Sequence, residues 1–265
     1  MLKNRLIFAL LYNNGKYMLS RNFTLQSVGD INWLKECYDY NSIAYSIDEL
    51  IVLNVERGQK NTQEFCKHLR ELSKQYFMPL AAGGGIRSIE DAYAIMDCGV
   101  DKLVLNTPIF KDPDFVQKLI KIYGSQCIIA SIDYKKNDNS TKVFVENGSV
   151  EIDMDIIQAS KYAEELGVGE IYLTSIKDDG TGEGYDLNNI KKVAESVNIP
   201  VIASGGCGRC DQFVDAYNKA GVKAAATADL FNFMADALAE SRKNIIDSGI
   251  PVAKWDIDFF QNYKK

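Results

Sequence analysis

Two short stretches carry the residues best suited to holding an anionic ligand. The apolar run Met78 to Ala82 ends in Gly83-Gly84-Gly85, and Ile199-Pro-Val-Ile-Ala203 ends in Ser204-Gly205-Gly206. Glycines at the end of a buried strand leave backbone amides open to a phosphate, because no Cβ stands in the way. Asn106 and Thr107 end the strand after the first glycine run, so a parallel crossover brings them beside Gly84 and Gly85. Asp133 ends another apolar run, Cys127 to Ile132. Burial there should raise its pKa toward neutrality, which suits a general acid or base; a carboxylate held by backbone amides in a structural role is the alternative. Asp179 and Thr181 lie in a Gly- and Asp-rich stretch, Ile176 to Asp186, that completes the set.

The elements that must position these residues repeat. Residues 79 to 108 read as strand, glycine loop, helix and strand, with Ser88 and Asp91 as a capping box. Ile89, Ala92, Tyr93 and Met96 form the apolar face of that helix, and Gly99 ends it. The same unit returns about 121 residues later, with Pro200 for Pro79 and Gly205-Gly206 for Gly84-Gly85. Glu49 to Asn54 likewise matches Glu170 to Ser175, and Leu6 to Leu11 matches Ile128 to Asp133. Four strands per repeat predict a (β/α)8 barrel of two half-barrels, about 1–123 and 124–265, forming one domain. Two glycine-rich strand ends facing each other across such a barrel suit a ligand with a phosphate at each end. Tyr12 to Asp30 reads as a long polar loop over the top, and Asn147-Gly148 as the turn of a hairpin after strand five. Helices are expected over Asn32 to Asn41, from a Thr62 cap with Phe65, Leu69 and Leu72 inward, and from Asp112-Pro113. The tail from Pro251, with Phe259 and Phe260, is expected to pack on the barrel.

Bulk properties narrow the class. Thirty basic against 36 acidic residues give a net charge of −6, which argues against nucleic acid or an anionic membrane as the main partner. The apolar run near Met1 is too short to span a bilayer and lacks a cleavage site. Six scattered cysteines suit reduced thiols in a cytoplasm. Cys207-Gly-Arg-Cys210 invites a zinc reading, but two further ligands would be needed and the single histidine, His68, falls in a helix pattern, so neither metal nor cofactor is expected.

Gly83-Gly-Gly-Ile86, Gly99-Val-Asp-Lys102, Asn106-Thr107, Ala130-Ser-Ile-Asp133, Leu173-Thr-Ser-Ile176, Asp179-Gly-Thr181 and Ala203-Ser-Gly-Gly206 together resemble the cyclase subunit of imidazole glycerol phosphate synthase, in register along essentially the whole chain. The resemblance implies a histidine-pathway barrel that receives ammonia from a separate glutaminase subunit docked on its bottom face. It also implies a phosphorylated ligand bound at the top by Gly84, Gly85, Asn106, Thr107, Asp179, Thr181, Ser204, Gly205 and Gly206. A ring of four charged residues guards the ammonia entry in that family, and the matching positions here are Arg5, Glu49, Lys102 and Glu170. Alternating charges that simply seal a barrel floor are the plainer reading, and compatible with a gate.

The upper end departs from the family pattern. Two aspartates serve as acid and base there; the position matching the first is Leu11, while the second is Asp133. Leu19 stands for a lysine, Asn54 for a carboxylate and Asp229 for a phosphate-binding serine. The expectation is therefore a divergent paralogue that accepts ammonia from a glutaminase while ordinary cyclisation is weak or lost. Paralogues similar to this subunit accompany enzymes that turn an acetamido sugar into an acetamidino sugar for bacterial surface polysaccharides. A working histidine-pathway cyclase and an inert scaffold that activates its glutaminase are the alternatives.

Overall fold

A computed structural model of the chain describes residues 3–253 apart from 39–42, 44, 59, 76–77, 138–139 and 235. In chain order its strands are β1 (Arg5–Asn13), β2 (Lys16–Arg21), β3 (Thr24–Gly29), β4 (Glu49–Asn54), β5 (Leu80–Gly83), β6 (Lys102–Leu105), β7 (Ile128–Lys136), β8 (Thr141–Val145), β9 (Val150–Ile152), β10 (Glu170–Ser175), β11 (Val201–Ser204) and β12 (Ala224–Thr227). Eight of them pair in parallel in the order β10-β11-β12-β1-β4-β5-β6-β7, and β7 pairs again with β10 to close the cylinder. Helices alternate with these strands on the outside, giving the expected (β/α)8 barrel.

Strict alternation along each strand makes two separate apolar layers. Ile7, Ala9, Ile51, Ala81, Val104, Ile129, Tyr172, Ile202, Ala224 and Ala226 fill the inside of the cylinder. Their neighbours in sequence, such as Leu6, Phe8, Leu50, Leu103 and Ile171, point outward into the layer beneath the helices. The helix Thr62–Gln75 illustrates how the shell is held. Phe65, Leu69 and Leu72 recur on one face and are almost wholly buried, each contributing about 1.5–3 kcal/mol of burial. Asn61 starts this helix, its Oδ1 accepting from the Glu64 amide at 3.1 Å, so Thr62 is the first helical residue and not the cap.

Several expectations need correction. Tyr12 to Asp30 is not a loop: β1 turns at Asn14-Gly15 and continues into the antiparallel hairpin β2–β3. Asn14 and Gly15 both take positive φ, 46° and 80°, the backbone of a tight primed turn. Tyr17, Met18 and Ser20 of β2 are buried although the hairpin's composition is polar. The first helix is Ile31–Cys37, with Asp30 accepting from the amides of Asn32 and Trp33 and Tyr38 closing it; residues 39–41 of the expected range lie outside the described residues. Ser88 and Asp91 do form the capping box of the helix Ile89–Met96, but Tyr93 is 53 % exposed and Ile95 takes the inward place. Strand β7 runs four residues beyond Ile132, so Asp133 sits inside a strand and not at its end. The hairpin expected around Asn147-Gly148 is β8–β9, and β8 pairs back onto β7 with Asp133 opposite Phe144. Val252 bridges Asn4 beneath the barrel, while Phe259 and Phe260 lie outside the described residues.

Candidate functional site

Strand parity fixes what faces the axis of the cylinder. On β10 the inward positions are Glu170, Tyr172 and Thr174; on β6 Lys102 and Val104, continuing to Asn106; on β4 Glu49 and Ile51; on β7 Ile129, Ser131 and Asp133. Charged residues thus occur at the start of strands, apolar ones in the middle and polar ones again at the carboxyl ends.

At the floor, the four charges form one closed circuit. Arg5 reaches Glu49 at 2.6 Å and also holds Glu170, while Lys102 bonds Glu49 at 2.9 Å and Glu170 at 3.3 Å. Each cation therefore touches both carboxylates. Glu49 and Glu170 are buried, 1 % and 5 % exposed. Burial alone would lower the pKa of Arg5, but the hydrogen bond and charge of Glu170, with those of Glu49, outweigh it and hold the guanidinium further into its charged form. The family resemblance groups these four residues, and the structure brings them within direct contact.

Above the floor the wall is aliphatic except for Tyr172. Its ring fills the middle of the barrel and its hydroxyl accepts from Ser204 Oγ at 2.8 Å. Sequence reasoning missed this residue. Alternation from Glu170 would have found it, since residue 172 must share the face of residue 170.

At the top, Asp133 faces the chamber with Oδ1 accepting from Ser131 Oγ at 3.2 Å and Oδ2 from Asn106 Nδ2 at 3.3 Å. Burial pushes its carboxyl up to about 7; the Ser131 bond opposes this and the charge of Asp179 adds to it. Its proton is thus poised to move in either direction near neutral pH, as acid–base work requires. Across the chamber, Leu11 is buried beside Leu53 of β4, so no second carboxylate faces Asp133 from β1.

The two glycine rims stand as expected at the ends of β5 and β11. Gly84 and Gly85 take φ of 93° and 89°, and a Cβ on Gly84 would stand 2.1 Å from the Asn54 carbonyl oxygen. Gly205 and Gly206 take 88° and 104°. Lys60, not anticipated, lies over Gly85; burial lowers its ammonium to about 8, with Glu56 opposing. Thr107 opens the short helix Thr107–Lys111 beside the first rim. Asn54, by contrast, serves its own turn: Oδ1 accepts from the Glu56 amide and its carbonyl from Lys60 Nζ.

Asp179 and Thr181 divide differently. Asp179 is buried and accepts from Ser20 Oγ at 2.5 Å and the Phe23 amide at 3.2 Å, which pins the β2–β3 hairpin over the chamber. Burial raises its pKa and those two bonds offset part of the rise. Thr181 instead donates its hydroxyl to the Asp178 carbonyl at 2.7 Å, an internal turn contact. Between the hairpin and the second rim lies a cavity of about 590 Å³, lined by Leu19, Arg21, Asp179, Ser204, Gly206 and Asp229 among others.

His68 is half-buried, its ring 4.8 Å from that of Tyr12. Cys207 is buried and its thiol pushed up to about 12 by burial, an unreactive state. No group of three or more metal-ligating side chains occurs among the described residues, and no helix among them is long and apolar enough to cross a membrane.

Comparison with known proteins agrees with this geometry. The family model described as histidine biosynthesis protein matches residues 29–235. A provisionally named imidazole glycerol phosphate synthase subunit hisF2 of Parasynechococcus marenigrum is 39% identical over 258 residues, covering 97% of this chain and 96% of that one. The imidazole glycerol phosphate synthase subunits HisF of Chlorobium limicola and of Clostridium botulinum (strain Okra / Type B1) are each 34% identical, covering 95% of this chain and 99% of theirs. A closed barrel with a charged floor and a polar upper chamber, matched end to end by these subunits, thus belongs to the histidine-biosynthesis family of (β/α)8 barrels, among the HisF-like cyclase subunits.

Proposed function

We propose that this chain is the ammonia-accepting subunit of a glutamine-dependent amidotransferase. A HisH-like glutaminase docks on the floor, ammonia enters through Arg5, Glu49, Lys102 and Glu170, and it reacts in the upper chamber with a phosphorylated small molecule. Opening the circuit at the floor admits a small neutral molecule; the apolar middle of the barrel, Ile51, Val104, Ile129 and Ile202, excludes ions while ammonia passes uncharged. In the chamber Asp133 transfers the proton that attack by ammonia and loss of the leaving group require. The two half-barrels, about 1–123 and 124–265, form one domain, and the continuation of both β1 and β7 into antiparallel hairpins supports that division.

Leu11 carries the choice of reaction. A chamber with a carboxylate on one side and a leucine on the other has half the proton-transfer equipment of the family's cyclisation, and loss of one such group costs about 10²–10⁴ in rate. The acceptor is therefore a different one, and the reading we favour is amidination of an acetamido sugar for a surface polysaccharide, its amide oxygen first activated by phosphoryl or adenylyl transfer from a nucleoside triphosphate, so that ammonia adds to the carbon and the oxygen leaves with the phosphate or AMP. The histidine-pathway cyclisation is the second reading, equally supported by the relatives at 34% and 39% identity, all of which bear the synthase name. The test is the chain with its glutaminase, assayed on the ribonucleotide substrate of imidazole glycerol phosphate synthase beside the Chlorobium limicola subunit. The first reading expects turnover about 10²–10⁴ lower; turnover at the relative's rate overturns it.

A further inference from the structure

The two glycine rims share a backbone but not their surroundings. At the second rim, the loop after β12 has turned its own carboxylate onto its own donors. Asp229 Oδ1 accepts from the amides of Phe231 at 3.1 Å and Asn232 at 3.0 Å, and Oδ2 accepts from Asn232 Nδ2 at 2.7 Å. The Asp229 amide itself donates to Thr227 Oγ1 at 3.2 Å, and Gly208 and Arg209 donate to Gln212 Oε1 at 2.8 and 3.0 Å. The Gly208 and Arg209 contacts have a counterpart at the first rim, where the Arg87 and Ser88 amides donate to Asp91 at 3.0 and 3.1 Å; what sets the second rim apart is the three amides of the loop after β12, at Asp229, Phe231 and Asn232, already engaged by side chains of the chain. A bound phosphate needs such donors free and positive charge nearby.

Charge separates the rims further. The cavity wall at Gly205 and Gly206 carries Asp179 and Asp229 against Arg21, a formal balance of −1, and Arg21 stands exposed on the hairpin. Arg209, beyond the rim, is paired with Asp211 at 3.1 Å. At the first rim the Lys60 stem lies directly over Gly85 while its Nζ donates to the Asn54 carbonyl at 2.5 Å, and Lys60 and Arg87 stand against Glu56 and Asp91, a formal balance of zero. Glu56 is itself occupied, accepting from the amides of Asn14 and Asn61.

We propose that the chamber takes a ligand with a single phosphate, seated at Gly84 and Gly85 under Lys60, while its far end is uncharged and hydroxyl-bearing and lies at Gly205, Gly206 and Asp229. This rests on reading the chamber as the site of a phosphorylated ligand and narrows that class from a bisphosphate to a monophosphate. Asp229 is the residue that sets the specificity: its carboxylate repels a second phosphate and offers its remaining acceptor capacity to a hydroxyl.

The test counts anions and requires neither glutaminase nor acceptor. Inorganic phosphate is titrated into the full chain, with stoichiometry followed by calorimetry and by phosphorus NMR. The wild type binds one phosphate per chain, Lys60→Gln loses it, and Asp229→Ser binds a second at least about tenfold more tightly than any residual wild-type binding there. Asp229→Asn, which removes the charge and keeps an acceptor for the amides, gains a weaker second site and serves if the serine variant does not fold. Two phosphates on the wild type, none on it, a single phosphate that survives Lys60→Gln, or no gain in a folded Asp229 variant overturns the proposal. Slow or absent cyclisation together with two bound phosphates overturns the single-phosphate proposal and leaves the functional reading standing, whereas one bound phosphate on a chain that takes no ammonia from the glutaminase overturns the functional reading alone.

Discussion

The floor circuit makes a quantitative demand on stability. Glu170 is 5 % exposed and holds both Arg5 and Lys102, so Glu170→Gln leaves two cations facing one carboxylate in a nearly dry ring. Removing one partner of a buried ion pair costs about 3–5 kcal/mol, because the charge left behind keeps its desolvation cost without its attraction. Glu49 still contacts both cations, which points to the lower end of that range. For a chain of 265 residues, an unfolding entropy of about 2.1 cal/mol/K per residue turns 3 kcal/mol into a fall of about 5 °C in the midpoint. Differential scanning calorimetry reads that shift, with Glu64→Gln at the exposed Lys67–Glu64 pair as the reference that leaves the midpoint in place. Replacing the whole circuit with Arg5→Met, Glu49→Leu, Lys102→Met and Glu170→Leu should restore the stability lost in the single variant, since no buried charge is then stranded. A Glu170→Gln midpoint no lower than that of Glu64→Gln would refute the argument. It would mean that water already reaches the ring and that the floor is open at rest.

Other consequences are nearer the chamber. Asp133 should titrate near 7 by carbon NMR of the carboxyl. Its folded pKa lies above its unfolded one, so between about 4 and 7 the native chain binds the extra proton and stability falls as pH rises. Asp133→Asn should flatten that slope, whose total is at most about 4 kcal/mol; an unchanged slope would show that the carboxyl is ordinary. Tyr172→Ala should cost about 3–5 kcal/mol through the cavity left in the barrel, whereas Tyr172→Phe should cost about 1 kcal/mol by leaving Ser204 without its acceptor. Urea unfolding distinguishes the two, and equal losses would contradict the placement of the ring. Asp179→Ala removes the two contacts that pin the hairpin through its carboxylate, so amides of residues 16–29 should exchange faster in hydrogen exchange while protection of β10 remains; unchanged hairpin protection would contradict the role assigned to Asp179.

The barrel was legible because its signals are local and repeated. Apolar runs ending in glycine, with helical spacing between them, need no tertiary information, and Glu170, Tyr172 and Thr174 share a face through period two alone. The floor was legible through the family resemblance, which picks out the four charges, each at the start of its strand. The hairpin was obscured by composition: Lys16, Ser20 and Arg21 read as loop, although Asn14-Gly15 supplied a turn and Tyr17 and Met18 an inward face. Lys60 and the bonding of Asp229 could not be read at all. Both depend on how irregular loops fold back, the first over Gly85 and the second onto the amides of residues 231 and 232, and no periodicity reports such geometry. Helical spacing alone puts Tyr93 on the apolar face of its helix, whereas in the structure it is Ile95 that turns toward the barrel and Tyr93 meets Tyr123 edge-on at the surface.

On our proposal the barrel retains an ammonia inlet at its floor while its chamber holds Asp133 without a second carboxylate on β1. Ammonium-dependent turnover of the synthase's ribonucleotide substrate by wild type and by Leu11→Asp tests it most directly, because the substitution returns a carboxylate opposite Asp133 and changes nothing at the floor. Slow wild-type turnover and a rise of about 10² or more in the variant are expected. Wild-type turnover already equal to that of the Chlorobium limicola subunit, with no gain from Leu11→Asp, would contradict the proposal.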